Sequence, residues 1–236
     1  MESQPFASGG LAIVFGVSGG IGSALAVAIE RERRFADVIG FSRTGDRRVD
    51  LLSEDSIEGA SRDIVSGGLP VRLIIDATGF LHGDGFVPEK SWRQLDPSHM
   101  AKSFAINAIG PALLMKHFLP LLPRQGKSVF ATLSAKVGSI GDNRIGGWYS
   151  YRASKAALNQ VVRTASIELR RRQPEAICVA VHPGTVDTRL SKPFGKTGLD
   201  VRSPTEAAEQ ILSVIARLTP SNSGEFVDYR GKRLPW

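Results

Sequence analysis

Tyr151 and Lys155 stand four residues apart in the stretch GGWYSYRASKAALNQ, residues 146–160. On a helix that spacing puts both side chains on one face, one above the other. A phenol titrates at about pH 10, and a neighbouring ammonium favours its phenolate form, drawing that value down. Such a pair can hand a proton to an oxygen that is gaining charge, or take one back. Tyr149 is the competing tyrosine, but it lies six residues from Lys155, well round the helix or ahead of its start. Tyr151 is therefore the candidate acid, and Tyr149 and Trp148 are expected to line a pocket or pack at its rim.

A second chemical signal lies near the start of the chain. GVSGGIG, residues 16–22, sits between the apolar run LAIVF and an apolar-periodic segment. Glycine allows positive φ and lets backbone N–H groups approach a pyrophosphate. The following helix N-terminus adds about half a positive charge facing the phosphates. Gly16, Ser18, Gly19, Gly20, Ile21 and Gly22 are thus candidate binders of a dinucleotide. The spacing is Gly, three residues, Gly, one residue, Gly, rather than the usual G-x-G-x-x-G, and a plain tight turn would also use these glycines.

The elements that must position these residues follow from periodicity. Strands are expected at 11–16, 37–41, 71–76, 127–134, 176–184 and 225–229, each a short apolar run. Helices are expected after the glycine turn, over 53–65 behind Ser53, over 97–122, over 150–172 and over 204–218. Strands alternating with helices imply βαβ units and a parallel sheet covered on both faces. The first βα turn of such a sheet is where dinucleotides bind. The pattern shows no repeat or linker, so residues 1–236 read as one domain.

The chain resembles the short-chain dehydrogenase/reductase family over essentially its whole length. The matching pieces fall in family order: GVSGGIG for the cofactor turn, DATG after a strand, NAIG in the central helix, YRASK for the Tyr-x-x-x-Lys motif, and PGTVDT after a later strand. SAKVGSIGDN, GGWYSYRASK and the ending FVDYRGKRLPW look most similar to the carbonyl reductase branch that includes C-factor-like and sniffer-like proteins. The resemblance implies a single-domain Rossmann fold, α/β, with a doubly wound, mostly parallel sheet of about seven strands. It also implies hydride transfer between a nicotinamide cofactor and a carbonyl or alcohol, with Tyr151 as acid/base.

In that family Lys155 also holds the nicotinamide ribose, and Asn107 holds a relay water and the geometry of the central helix. Asn107 could at the same time satisfy a helix kink before Pro111. Asp50 and Leu51 would border the adenine; Ala77, Thr78 and Gly79 would line the cleft; Pro183, Gly184, Val186 and Thr188 would contact the nicotinamide end. DATG departs from the family's NNAG. The family's catalytic serine precedes Gly138 by three residues, where this chain has Ala135. Ser134, one residue earlier, is expected to take the role, with Ser139 second, although adjacent strand residues face opposite sides.

After the second strand a carboxylate would favour NAD and an arginine NADP. The chain reads GFSRTGDRR there, so Ser42 and Arg43 point to NADP(H), a phosphate pairing well with a guanidinium fork. The alternative function is a signalling or regulatory protein that keeps the nucleotide fold with little turnover. Ala135 favours it, and the intact Tyr151–Lys155 pair opposes it. A sugar-nucleotide epimerase would want a larger C-terminal substrate domain than residues 189–203 offer. The substrate pocket is expected from 80–90, 136–149 and 189–203.

Composition supports an ordinary globular chain, with 42% hydrophobic and 22% charged residues. The net charge of +7 comes from scattered arginines without interleaved aromatics, so no nucleic-acid partner is expected. MESQPFASGG has neither a basic nor an apolar segment of a signal peptide, and one cysteine, Cys178, permits no internal disulfide. A cytoplasmic location is expected. The apolar stretch 104–122 is interrupted by Asn107, Pro111, Lys116 and His117 and reads as a buried helix, not a membrane span. His82, His99, His117 and His182 are isolated, so no metal is expected. The family often forms homodimers or homotetramers through its long helices, and some members are monomers.

Overall fold

The computed structural model describes residues 6–194, 198 and 200–236; the expectation for the first five residues and part of the 189–203 loop lie outside the described residues. Its frame is a parallel sheet in the order β2-β1-β3-β4-β5-β8: β1 (Leu11–Phe15), β2 (Asp37–Phe41), β3 (Val71–Asp76), β4 (Ser128–Leu133), β5 (Ala176–His182) and β8 (Phe226–Asp228). β6 (Thr185–Val186) and β7 (Val201–Arg202) form a separate parallel pair. Among the described residues the main sheet therefore has six strands, not about seven. Beside β2, where a seventh would pair, the chain makes only a single parallel bridge between Ser42 and Arg48. Arg47, Arg48 and Asp50 leave little apolar surface there to bury, and Val49 alone packs inward.

Strand alternation sorts the core into two layers. Ala12, Val14, Leu73 and Ile75 face α1 (Gly20–Glu32) and α6 (Pro204–Arg217), meeting Leu25, Ile29, Ile211 and Ile215. Leu11, Ile13, Phe15 and Phe130 face the other way, onto Ile57 of α2 (Glu54–Ser66), Leu114 and Phe118 of α4 (Gly110–Phe118), and Leu158 and Val162 of α5 (Tyr149–Arg172). Ser53 caps α2 through the Ser56 N–H at 3.3 Å, and Ser203 with Glu206 forms a capping box on α6.

The expected helix over 97–122 is continuous but not uniform. α3 (Pro97–Phe104) passes into a π-helical turn, Ala105–Ile109, before α4. Pro111 has no N–H to give the Asn107 carbonyl four residues back. The ladder widens just ahead of it, and the Gly110 N–H reaches the Ala105 carbonyl. Such turns concentrate at functional sites. Consecutive strands β2 and β3 lie on opposite sides of β1, so a crevice opens at the carboxyl ends of β1 and β3.

Candidate active site

α5 carries Tyr151 and Lys155 in its first two turns, both buried. The Lys155 Nζ is 6.0 Å from the Tyr151 ring centre and donates to the Leu133 carbonyl at 2.8 Å. Gly138 lets the chain after β4 press on this helix: a Cβ there would meet the Lys155 Cβ at 2.8 Å. Burial pushes the Tyr151 phenol up to about 12 and the Lys155 ammonium down to about 8, with Asp76 acting against the latter. The expected depression of the phenol is thus not what the protein alone produces, because desolvation raises it. At neutral pH the site holds a protonated phenol beside a lysine that is charged below about pH 8.

Asn107 sits in the π turn and makes three hydrogen bonds through its side chain. Its Oδ1 accepts from the Phe80 N–H at 2.7 Å, and its Nδ2 donates to the Phe80 carbonyl at 2.8 Å and to Ser154 Oγ at 3.0 Å. It therefore ties the loop after β3 to α5. Gly79 lies between these groups: a Cβ there would stand 3.7 Å from Asn107 Oδ1 and 3.8 Å from Lys155 Nζ. The DATG departure has its own logic. The Asp76 carboxylate accepts from the Thr78 N–H at 3.0 Å, from Thr78 Oγ1 at 2.5 Å and from Thr132 Oγ1 at 2.6 Å, fixing Ala77, Thr78 and Gly79 at the end of β3.

Neither serine presents a free hydroxyl to Tyr151. Ser134 donates to Asn159 Oδ1 at 2.7 Å, and Asn159 lies two helical turns, about 12 Å of rise, below Tyr151. Ala135 is still extended, at φ −143° and ψ 141°, so the two residues point to opposite faces. Ser134 is buried and Ala135 half-exposed, which turns the methyl toward the open side. Ser139 accepts from the Asp142 N–H at 3.1 Å and donates to the Trp236 carbonyl at 3.3 Å. This placement speaks against the role expected of Ser134.

The cofactor turn fits a dinucleotide. Gly16, at φ +88°, brings the end of β1 against the Ala77 carbonyl, where a Cβ would come within 3.0 Å. Gly22 has no room for a side chain against the Gly16 carbonyl, and Gly20 packs on Thr188, 3.1 Å from where its Cβ would be. The half-buried Pro183, Gly184 and Thr188 thus flank the turn that contains the exposed Ser18 and the half-buried Gly19 and Ile21. Val186 is buried in β6, and Gly184, at φ +76°, lies against the Arg202 guanidinium. Arg43 is exposed at the end of β2, while Ser42 is buried and donates to the Thr44 carbonyl. Asp50 accepts from the Leu52 N–H at 3.0 Å, and Leu51 packs where a Gly110 Cβ would be, 2.9 Å away.

The loops expected to form the substrate pocket meet through aromatic rings. Trp148 packs 6.1 Å from Tyr151 and 5.0 Å from Phe194, and Phe194 packs 5.4 Å from His82. The His82 Nε2 faces the Arg189 and Leu190 carbonyls at 3.3 and 3.1 Å and must donate to them. Sequence reasoning missed Glu89. Its buried carboxylate accepts from the Ser150 N–H and hydroxyl at the start of α5 and faces His99. A partner 61 positions away leaves no local spacing to read.

The chain's similarities agree with this frame. A family model described as enoyl-(acyl carrier protein) reductase matches residues 16–214. The C-signal protein of Myxococcus xanthus is 39% identical over 144 residues, 60% of this chain and 81% of that protein. A 1-hydroxy-2-glutathionyl-2-methyl-3-butene dehydrogenase of Rhodococcus sp. strain AD45 is 31% identical over 201 residues, 85% of this chain and 84% of that one. The NADPH-bound carbonyl reductase from chicken fatty liver superposes with a TM-score of 0.82 at 23% identity, over 99% of this chain and 96% of that one. With its glycine turn, its Tyr151–Lys155 pair and a family match over most of its length, the chain belongs to the short-chain dehydrogenase/reductase family of oxidoreductases.

Proposed function

We propose that the protein is an NADP(H)-dependent oxidoreductase that interconverts a carbonyl and an alcohol, with Tyr151 as the proton donor in reduction. One observation carries the reading: the glycine turn, Asn107, Tyr151 and Lys155 all converge on the carboxyl ends of β1, β3 and β4. A bound nicotinamide would supply the hydride. Gly16 to Gly22 would hold the phosphates, Asp50 and Leu51 the adenine, Arg43 the 2′-phosphate, and Thr188 the nicotinamide end. The similar chicken enzyme is NADPH-bound. Ala77, Thr78, Gly79, Pro183, Gly184 and Val186 would wall the cleft.

Within the chain, the buried phenol gives its proton to the substrate oxygen as charge develops there. The Lys155 ammonium steadies the phenolate left behind and, below about pH 8, keeps its charge for that task. Asn107 holds Gly79 and α5 in one arrangement. The chemistry runs without the serine, since Ala135 occupies the side facing the cleft. A second copy would pack on the long helices, where Ile109 and Ile167 are about half exposed. The test is NADPH consumption over aldehydes, ketones, quinones and ketoesters. Tight NADPH binding without turnover of any would favour the other reading, a regulatory protein, to which the methyl of Ala135 points.

A further inference from the structure

We infer that Glu89 is a positioning residue for Tyr151, its buried carboxylate fixing the first turn of α5 in place of an ordinary cap. The inference rests on the reading of Tyr151 as proton donor.

A helix leaves its first N–H groups without partners, and the residue ahead of it normally supplies an acceptor. α5 has no such residue. Trp148 takes the cap position in the left-handed region, at φ 53° and ψ 44°, and its side chain makes no capping bond. It follows Gly146 and Gly147, also left-handed at φ 71° and 65°. A tryptophan rarely adopts this backbone and holds it only where its surroundings enforce it.

Glu89 provides that enforcement on both sides of Trp148. Its carbonyl accepts the Trp148 N–H at 2.5 Å. Its carboxylate accepts the Ser150 N–H at 3.2 and 3.3 Å and the Ser150 hydroxyl. The clamp ends on Ser150, the residue immediately before Tyr151. Burial of a carboxylate demands compensation. Here it comes from these donors, from the positive end of the α5 dipole, and from His99 Nδ1 at 3.4 Å. His99 is itself buried, stacked on Phe86 at 5.0 Å and edge-on to Phe80 at 6.0 Å. Lys102, the nearest cation on α3, lies over the same two rings but pairs with Asp84. The phenol that must meet the substrate thus hangs from a turn whose geometry this carboxylate sets.

The experiment compares Glu89→Ala, Glu89→Gln, Ser150→Ala and Tyr151→Phe, using the best carbonyl substrate of the screen. Rates are expressed per NADPH-binding site, and amide hydrogen exchange is followed over residues 146–152. Glu89→Ala should lower kcat per site about tenfold to a hundredfold, the scale for a misplaced group, with little change in NADPH affinity. Exchange at the start of α5 should quicken. Glu89→Gln keeps an acceptor toward Ser150 and should recover most of the rate, losing only the charge assistance. If Glu89→Ala does not fold, Ser150→Ala, which removes the hydroxyl donor alone, should show a smaller loss of the same kind. Unchanged kcat per site and unchanged exchange in Glu89→Ala, or in Ser150→Ala should Glu89→Ala not fold, would overturn the inference. So would Glu89→Gln as impaired as Glu89→Ala. A fully active Tyr151→Phe would instead overturn the reading of the site and this inference with it; an inactive Tyr151→Phe beside an unaffected Glu89→Ala removes the inference alone.

Discussion

Ser134 and Ala135 show how far one position matters. The sequence puts a hydroxyl next to the place where the family keeps its serine, and an extended backbone sends that hydroxyl into the interior, onto Asn159. Ser134→Ala removes this bond and leaves a buried Asn159 oxygen unpaired, at a cost of about 1–3 kcal/mol. For a chain of this size that lowers Tm by roughly 2–10 °C, while kcat per folded site should stay within about threefold of the unmutated rate. A hundredfold drop in kcat with Tm unchanged, the scale for losing an oxyanion donor, would return the role to Ser134. At the end of β2, Arg43 is exposed. A charge-assisted pair contributes about 1.5–3 kcal/mol, roughly tenfold to a hundredfold in affinity. NADPH should therefore bind at least about tenfold tighter than NADH, and Arg43→Asp should erase most of the difference. Equal affinities in the unmutated protein, by fluorescence titration, would contradict this.

At the scale of elements, the strands and helices were legible because each buried run is short, apolar and bounded by polar or turn residues. β3 falls at Val71–Asp76, as its apolar run VRLIID predicts, and α5 starts at Tyr149, one residue before its expected position. What stayed hidden depends on partners far along the chain. The π turn needs Pro111 and the Phe80 backbone together, and the capping of α5 needs Glu89. The close approach at Gly138 is a third such case, since nothing local tells that Lys155 presses on it. Gly138→Ala places a methyl 2.8 Å from the Lys155 Cβ and 2.9 Å from its carbonyl carbon. Either the 136–138 turn or α5 must shift, at about 1–3 kcal/mol. Both Tm and kcat should fall, with kcat falling further than the loss of folded protein explains. An alanine variant with full stability and full rate would show that this contact does not locate the lysine.

For the molecule as a whole, burial of titratable groups ties stability to pH. Desolvation, with Arg202 and Lys136 nearby, pushes His182 down to about 4 against the pull of Asp228. Between pH 6.5 and 4 the unfolded chain binds a proton at this site and the folded chain does not, so stability falls as pH drops through that window. From those two values the loss reaches about 2 kcal/mol by pH 5. Urea unfolding of the unmutated protein and of His182→Gln at pH 7 and pH 5 should show the variant losing less on acidification; equal losses would remove His182 from the account. Lys155 acts with the same sign in a higher window, its depressed value making stability rise between about pH 8 and 10.5.

The fold and the Tyr-x-x-x-Lys spacing were readable because they are written in periodicity. The electrostatics of the site were not, because burial reverses the shift expected of the phenol. That reversal makes the choice of tyrosine the point on which everything else depends. The direct measurement is kcat for Tyr151→Phe and Tyr149→Phe with the best substrate, alongside NADPH affinity. Loss of a positioned proton donor lowers a rate about a hundredfold to ten-thousandfold. Tyr151→Phe should lose at least the lower figure, Tyr149→Phe should stay within about threefold of the unmutated rate, and both should bind NADPH normally. Equal losses in the two variants, or a Tyr151→Phe that turns over at the full rate, would contradict the assignment of Tyr151 as the acid.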